Sequence, residues 1–219
     1  MAPVKRVGHG GASAIARANT LASFDAALDA GVDMIEFDVR ARRGELVLAH
    51  TPAHARLFDC LPLARALVHL AGRRFHDVEL NVDVKHPGCE RGTLEAIRRF
   101  GLRSRALVTS QSAAVVDRTR TLDRDVRVGI SIGGRLARRA RRWRDWRAVV
   151  LAGLRSGRFD ALMAQHRLVD AALAADVTEA GGELYAWTVN DRRTLARVAA
   201  LPVTGIATAD PRIFFAAAG

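Results

Sequence analysis

Short apolar runs separated by polar turns recur along the whole chain. Runs of this kind, rich in β-branched residues, are typical of buried strands. The pattern predicts strands at Val4–His9, Met34–Val39, Leu46–His50, Val78–Val84, Ala106–Ser110, Val126–Ile132, Ala161–Ala164, Leu184–Val189 and Gly205–Thr208.

Helical patterns lie between most of these strands. From Thr20 to Gly31, apolar residues recur at helical spacing and a glycine follows, as it does at many helix C-termini. Similar patterns predict helices at 61–72, 91–101, 112–122, 169–182 and 191–201. Because strands and helices alternate, we expect a parallel sheet.

The number of repeats favours a barrel. About eight strand–helix repeats fit one compact (β/α)8 TIM barrel that spans residues 1–219. An open doubly wound sheet is the alternative, but no G-x-G-x-x-G turn follows the first strand. The predicted strands are one too many for the barrel. The connection from Val39 to Leu46 is too short for a crossover helix, so we expect a hairpin with one strand partly outside the barrel.

The register of this hairpin decides which side chains share a face. A three-residue loop at 42–44 would place His50 beside Glu36, with Asp38 next along. A two-residue loop would shift the pairing by one residue and turn His50 away. The sequence leaves the register open, and we favour the three-residue loop.

Composition narrows the class of protein. The chain is 49% hydrophobic and 26% charged, which excludes a disordered chain, and its formal net charge is +11. A basic surface favours anionic partners, although a composition biased towards Ala and Arg is an equally good cause. Two cysteines are too few for a disulfide framework, and no apolar stretch is long enough for a membrane span. We expect a cytoplasmic protein without an integral membrane segment, for which peripheral membrane contact stays open.

Polar residues collect at the carboxyl ends of the predicted strands, where barrel enzymes hold their active sites. These residues are His9, Glu36, Asp38, His50, Asn81, Asp83, Lys85, Ser110, Gln111, Trp187 and Asn190.

Three of these side chains would form a carboxylate cluster: Glu36, Asp38 and Asp83. Like charges at close range are unfavourable unless a cation lies between them. Carboxylate oxygens suit Mg²⁺, Mn²⁺ or Ca²⁺. Histidines beside such a cation suit general acid and base catalysis, and Lys85 would bind an anionic group of the substrate.

Several motifs resemble those of the glycerophosphodiester phosphodiesterases, barrel enzymes that hydrolyse glycerophosphodiesters to glycerol phosphate and an alcohol. The family's opening His-Arg-Gly and Pro-Glu-Asn-Thr motifs correspond to "HGGASAIARANT", and "IEFDV", "VLAHT" and "DVK" follow in order. Near the end, "YAWTVND" and "VTGIATADP" resemble the closing strands. The resemblance covers the whole chain.

The resemblance implies a role for particular residues. The family's catalytic histidines fall on His9 and His50. The ligands of one divalent cation, Mg²⁺ or Ca²⁺ with Mn²⁺ as an alternative, fall on Glu36, Asp38 and Asp83. The substrate would be a small phosphodiester.

The substrate-binding residues include one departure from the family. Lys85 matches the basic residue near the phosphate, and Trp187 matches the aromatic wall of the glycerol pocket. The motif arginine is Gly10 here, and we expect Arg17, in the same loop, to replace its charge.

Other departures support a rival hypothesis. The motif Glu is Ala18, the Asp after the second histidine is Thr51, and the third metal acid is Asp83 rather than Glu. A catalytically weak or silent barrel that binds phosphorylated ligands or lipid headgroups is therefore the alternative. The Arg-rich segment Gly133–Arg147 has a composition that suits binding to a membrane surface or to nucleic acid. We favour the interpretation that it is a solvated helix whose Trp residues pack on the barrel. No nucleic-acid partner is therefore expected.

Overall fold

The first strand, β1 (Lys5–His9), has a parallel neighbour on each side. It pairs with β2 (Met34–Arg42) and with β9 (Gly205–Thr208), so the sheet closes on itself. This closure confirms the barrel and excludes the open sheet. The structure is a computed structural model that describes residues 3–133 and 140–215, with backbone alone for 140–143.

The intervening strands are β3 (Glu45–Leu48), β4 (Glu79–Val84), β5 (Ala106–Ser110), β6 (Arg127–Ile132), β7 (Ala161–Gln165) and β8 (Glu183–Trp187). The order around the barrel is β1-β2-β4-β5-β6-β7-β8-β9, all parallel, and β3 pairs antiparallel with β2 alone. The extra strand of the prediction is therefore β3, outside the barrel.

Helices cover the outside of this sheet. They are α1 (Leu21–Asp29), α2 (Pro52–Leu57), α3 (Leu63–Leu70), α4 (Glu90–Arg99), α5 (Ala113–Leu122), α6 (Ala140–Arg155), α7 (Ala171–Glu179) and α8 (Arg192–Ala199), with 3₁₀ turns at Arg73–Phe75, Arg103–Arg105 and Pro211–Phe214. The six predicted helices are confirmed. The short helix α2 was missed because it is too brief to show a periodic pattern.

The hairpin has a two-residue loop, so the predicted three-residue loop is wrong. Arg42 pairs with Glu45, which leaves only Arg43 and Gly44 in the turn. Both loop residues have positive φ, 48° and 85°. Turns of this kind match the twist of the flanking strands, which explains why the tighter loop is preferred.

The shifted register does not turn His50 away, contrary to our expectation. The Ala49 N–H still donates to the Asp38 carbonyl at 3.1 Å, but β3 has already ended at Leu48. His50 is therefore outside the ladder, and strand alternation no longer dictates the direction of its side chain.

Strand β2 shows how the barrel divides its two faces. Ile35, Phe37 and Val39 are fully buried in the apolar layer between the barrel and the helices. The alternate residues Glu36 and Asp38 point into the barrel, because successive side chains of a strand face opposite sides. Both acidic residues of this strand are therefore confined to the barrel interior.

The floor of the barrel is a layer of charged side chains from alternate strands. Glu79 Oε1 is 2.5 Å from Lys5 Nζ, and Glu79 Oε2 is 2.5 Å from Arg127 Nη2. Arg127 also contacts Glu183 at 3.3 Å, and the Tyr185 hydroxyl donates to Glu183 at 3.0 Å. Each of the four charged residues is the first residue of its strand, so this layer closes the end of the barrel opposite the predicted site.

The Arg-rich segment is only partly described, since residues 134–139 lie outside the described ranges. Trp146 packs against the apolar core and Arg147 pairs with Asp176 at 2.6 Å, which agrees with a helix packed on the barrel. Among the residues described, none of the helices has the length and apolar character needed to cross a bilayer.

Removing the central charge of the floor should destabilise the protein in a pH-dependent way. Burial opposes ionisation of Glu79, but Lys5 and Arg127 outweigh it and hold the pKa of Glu79 below its usual value. A lowered pKa adds stability above the ordinary carboxyl pKa, and this contribution is lost as pH falls through the lowered value. We expect Glu79→Gln to cost about 1–2 kcal/mol near neutral pH, measured by urea unfolding.

The exposed Asp77 provides the control, since Asp77→Asn should change the free energy of unfolding little. The cost of Glu79→Gln should shrink in acid. A cost that is the same at neutral and acid pH would contradict an electrostatic role for the floor.

Candidate active site

A cleft opens at the carboxyl ends of the barrel strands. Most of the sequence-predicted site residues meet here, together with residues from strands that the prediction did not use. The cleft is lined by His9, Glu36, His50, Asn81, Asp83, Lys85, Thr109, Gln111, Ser131, Met163, Trp187 and Ala207.

Three buried carboxylates converge in this cleft. Glu36 and Asp38 come from β2 and Asp83 from β4, and Asp38 and Asp83 are register partners. One oxygen from each lies within 4.8 Å of the others. Asp83 Oδ1 is buried and has no hydrogen-bond partner among the described residues. An acceptor that is buried and unpartnered is costly, so this cluster fits a cation with oxygen ligands.

Lys85 provides part of the balancing charge. Its Nζ lies 2.5 Å from Asp38 Oδ1 and 2.5 Å from Asp83 Oδ2. Burial lowers the pKa of Lys85, but Asp83, Asp38 and Glu36 outweigh burial and raise it above its usual value. Three carboxylates against one ammonium leave a formal excess of two negative charges, which a divalent cation would balance.

The three carboxylates differ in their ease of ionisation. Burial and the Asp38 charge raise the pKa of Glu36 well above its usual value, and burial also raises the pKa of Asp83. Burial acts the same way on Asp38, but the hydrogen bond from His50 and the nearby Lys85 ammonium hold the pKa of Asp38 well below its usual range. Asp38 is therefore the member of the cluster that ionises most readily.

The two histidines lie on different carboxylates. His50 Nδ1 is 3.2 Å from Asp38 Oδ1, so Nδ1–H donates and Nε2 is left to exchange protons. His9 Nε2 is 3.9 Å from Glu36 Oε2. Burial lowers the pKa of His9, which favours its neutral form.

Asn19 is a site residue whose role the sequence did not reveal. Its Nδ2 donates to Asp38 Oδ2 at 2.8 Å, and its Oδ1 accepts from the Asp38 N–H at 3.0 Å. It is buried and has a φ of 61°, a conformation that Asn tolerates better than most residues. The asparagine retained in "ANT" was the only signal, and its partner was visible only in three dimensions.

Two of the predicted strand-end residues form structural hydrogen bonds and do not line the cleft. The Ser110 hydroxyl donates to the Val84 carbonyl at 2.6 Å, and Asn190 Oδ1 accepts from the Ala209 N–H at 3.0 Å. In contrast, the Thr109 hydroxyl donates to Asn81 Oδ1 at 2.7 Å, which leaves the Asn81 amide as a donor beside the carboxylates.

Comparison with known proteins identifies the family. The profile of the Glycerophosphoryl diester phosphodiesterase family matches residues 9–67 and 75–213. The chain belongs to this family.

Relatives agree with this membership. The protein named Probable glycerophosphodiester phosphodiesterase 1 of Mycobacterium tuberculosis is 34% identical over 161 residues. The match covers 52% of this chain and 59% of that protein, so the chain spans less than two thirds of the relative's length.

Solved structures share the fold. A protein of Silicibacter pomeroyi named for the same family has a TM-score of 0.82 and 20% identity, and the match covers 96% of this chain and 91% of that one. A phosphodiesterase of Oleispira antarctica, solved in complex with the product sn-glycerol-3-phosphate, has a TM-score of 0.73 and 17% identity, with 95% and 94% covered.

Two departures from the family motifs have structural explanations. Thr51 caps α2, because its hydroxyl accepts from the His54 N–H at 3.0 Å, and Asp and Thr both serve as N-caps. Gly10 has a φ of 62°, in the left-handed region that favours glycine, and its N–H donates to Glu36 Oε2 at 2.7 Å. It therefore holds a carboxylate of the family site through its backbone.

The placement of Arg17 does not support its expected role at the phosphate. Its guanidinium carbon lies 5.7 Å from the centre of the Phe58 ring, and its Nη2 is 2.9 Å from His54 Nε2. It does not line the cleft. The charge is held on the end of α2, so Arg17 is a poor substitute for the motif arginine.

Loss of the Asn19 side chain should loosen Asp38. We expect Asn19→Gly to cost about 1–3 kcal/mol in urea unfolding, because a buried N–H and a carboxylate oxygen lose their partners. Glycine keeps the positive φ, so the loss reports the side chain. Asn19→Ala should cost about 1 kcal/mol more, from backbone strain. Equal stability of Asn19→Gly and the parent chain would contradict this role.

Divalent cations should stabilise the protein in a pH-dependent way. We expect Mg²⁺ or Ca²⁺ to raise the unfolding temperature at about pH 7.5 and to raise it less at about pH 5.5. Protons compete with the cation at Glu36 and Asp83, whose pKa values are raised.

Asp83→Asn should abolish the stabilisation, while Asp77→Asn, at an exposed carboxylate outside the cluster, should leave it unchanged. The same increment in the parent chain and in Asp83→Asn would exclude a cation at this cluster.

Proposed function

We propose that this chain hydrolyses glycerophosphodiesters to glycerol phosphate and an alcohol. The observation that carries the proposal is the convergence of three buried carboxylates, two histidines and a lysine at one barrel mouth. Family membership and the product bound to the Oleispira antarctica neighbour support this substrate class.

Glu36, Asp38 and Asp83 would hold one divalent cation, Mg²⁺ or Ca²⁺ with Mn²⁺ as an alternative. Their fit rests on the all-oxygen donor set, the short separations and the unpartnered Asp83 oxygen. When bound, the cation would act as a Lewis acid on the phosphate and lower the pKa of a hydroxyl. Asn19 and the Gly10 N–H keep two of these carboxylates in position.

The histidines would move the protons. Because burial lowers the pKa of His9 and so favours its neutral form, it would act as the general base that accepts the proton of the attacking group. His50, held through Nδ1 by Asp38, would present Nε2 and donate a proton to the leaving alcohol. The two rings lie on different carboxylates, which suits proton transfer on opposite sides of one phosphorus.

The remaining cleft residues would bind the substrate. Lys85 and the Asn81 amide would contact phosphate oxygens, and Trp187 would form an apolar wall for the glycerol carbons. Trp187 Nε1 is buried without a hydrogen-bond partner among the described residues. We place the reaction in the cytoplasm, since Cys60 and Cys89 are both buried and unpaired.

The test is release of glycerol phosphate from a panel of glycerophosphodiesters, with Mg²⁺, Mn²⁺ or Ca²⁺ and with a chelator. We expect cation-dependent release that the chelator abolishes. His9→Ala and His50→Ala should each reduce turnover by about two to four orders of magnitude, the usual cost of losing an acid–base group. Thermal unfolding of each variant would show that folding is retained.

His76→Ala is the matched control, because this exposed histidine contacts its neighbour Asp77 and not the cleft. It should retain full activity. Binding of glycerophosphodiesters without turnover in any cation would refute hydrolysis and favour the silent barrel. Full activity in both site variants would mean that other residues transfer the protons.

A further inference from the structure

A basic groove lies beside the catalytic cleft. It is bounded by the β2–β3 hairpin, by α2 and by the loop after β4, and its volume is ≈690 Å³. No acidic side chain lines it within the described residues. The charged and titratable side chains in its walls, which define the arginine groove, are Arg40, Arg42, Arg43, Arg56 and His86.

The arginine groove continues the catalytic row of β2. Alternate side chains of a strand share a face, so Arg40 and Arg42 follow Glu36 and Asp38 at steps of about 7 Å. Arg40 donates from Nε and Nη2 to the His50 carbonyl, at 3.1 and 3.0 Å. His50 lines the catalytic cleft and Arg40 lines the groove, so this contact is the wall between the two sites.

The positive charge of the groove is largely uncompensated. Arg43 and Arg56 are exposed and form no ion pair within the described residues. Arg42 has an acidic cross-strand partner, Glu45, with which it lines a separate depression. Arg43 and Arg56 therefore carry most of the attraction for an anion. A concave site with several guanidinium donors suits a phosphate, which accepts paired hydrogen bonds.

The groove is anchored to the catalytic strands on its third side. The Ala41 N–H donates to His86 Nε2 at 3.2 Å, which ties the hairpin to the loop after β4. His86 follows Lys85 directly, so neighbouring residues after β4 line the arginine groove and the catalytic cleft. A group bound in the groove would therefore stay at a fixed position relative to the carboxylate cluster.

We infer that the arginine groove binds a phosphate carried by the leaving alcohol of the substrate. This inference rests on the proposed function. In the reaction, the water oxygen bonds to the diester phosphorus, the bond from that phosphorus to the leaving oxygen breaks, and that oxygen takes up a proton. The second phosphate is held and not cleaved, so the products are glycerol phosphate and a phosphorylated alcohol.

A lipid headgroup is the other source of the same phosphate chemistry. Leu57 and Phe58, at the end of α2, are 76% and 53% exposed, as at a surface that touches a bilayer. The concave shape and the direct continuation into the cleft favour a soluble substrate over a bilayer.

The test compares glycerophosphoglycerol with glycerophosphoglycerol phosphate, which differ only in the second phosphate. Arg43→Asn tolerates the positive φ of the turn, and Arg56→Gln keeps a polar helical residue. We expect the parent chain to have a KM about tenfold lower for the phosphorylated diester, and the double variant to lose this preference. Turnover of the unphosphorylated diester should be unchanged.

The control is Arg73→Gln with Arg155→Gln. This pair removes the same net charge at the opposite end of the barrel, because Arg73 precedes β4 and Arg155, the last residue of α6, precedes β7. The preference should survive in it. Equal KM values for the two diesters in the parent chain, or a preference kept in Arg43→Asn/Arg56→Gln, would overturn the inference.

Calorimetric titration of both diesters separates this inference from the proposed function. Tighter binding of the phosphorylated diester without turnover would refute hydrolysis but support the arginine groove as a phosphate-binding site. Sedimentation with phosphatidylglycerol vesicles tests the lipid source. The inference would be overturned if the parent chain sediments with the vesicles, the double variant does not, and the two soluble diesters bind with equal affinity. The groove would then be a contact with the bilayer.

Discussion

Closure of the sheet through β1 is the constraint on which the rest of this structure depends. Once β1 pairs with both β2 and β9, every second side chain of eight strands must share one narrow interior. Alternate strands then contribute side chains at the same height, and the interior becomes a stack of layers. The charged floor, the apolar middle and the acidic mouth are successive levels of that stack. The helices shield the outer faces of the strands.

The middle of the stack is apolar, and it separates the charged floor from the acidic mouth. Val7, Met34, Leu107 and Tyr185 are among the fully buried interior residues. Below them, each charged residue of the floor forms an ion pair with a residue of opposite charge, so the charges of the floor balance. Above them, three acids and one lysine leave negative charge unbalanced. An excess of this kind has a cost in stability, and such costs are typical of functional sites.

The mouth is held by contacts that come from the backbone and from loops as much as from the strands. Gly10 and Asn19 reach the two carboxylates of β2 from one loop, and Asn19 and Gly10 are themselves joined by a backbone hydrogen bond of 3.0 Å. The β1–α1 loop is therefore a clamp on the acidic cluster. This loop departs from the family motifs at Gly10 and Ala18, yet both contacts to the carboxylates are present. The arginines beyond the mouth offer positive charge from another direction.

Much of this protein is determined by local sequence. Alternating strand and helix patterns predicted the barrel, and positions on strand ends predicted that His9, Glu36, Asp83 and Lys85 would meet, because parallel strands deliver their carboxyl ends to one edge. Tertiary structure decided the rest. The hairpin register depended on turn geometry at Arg43–Gly44, and the contact of His50 with Asp38 depended on where β3 ends. The Asn19 clamp, the placement of Arg17 on Phe58 and the arginine groove arise from segments far apart in sequence, and no local pattern encodes the distance between such segments.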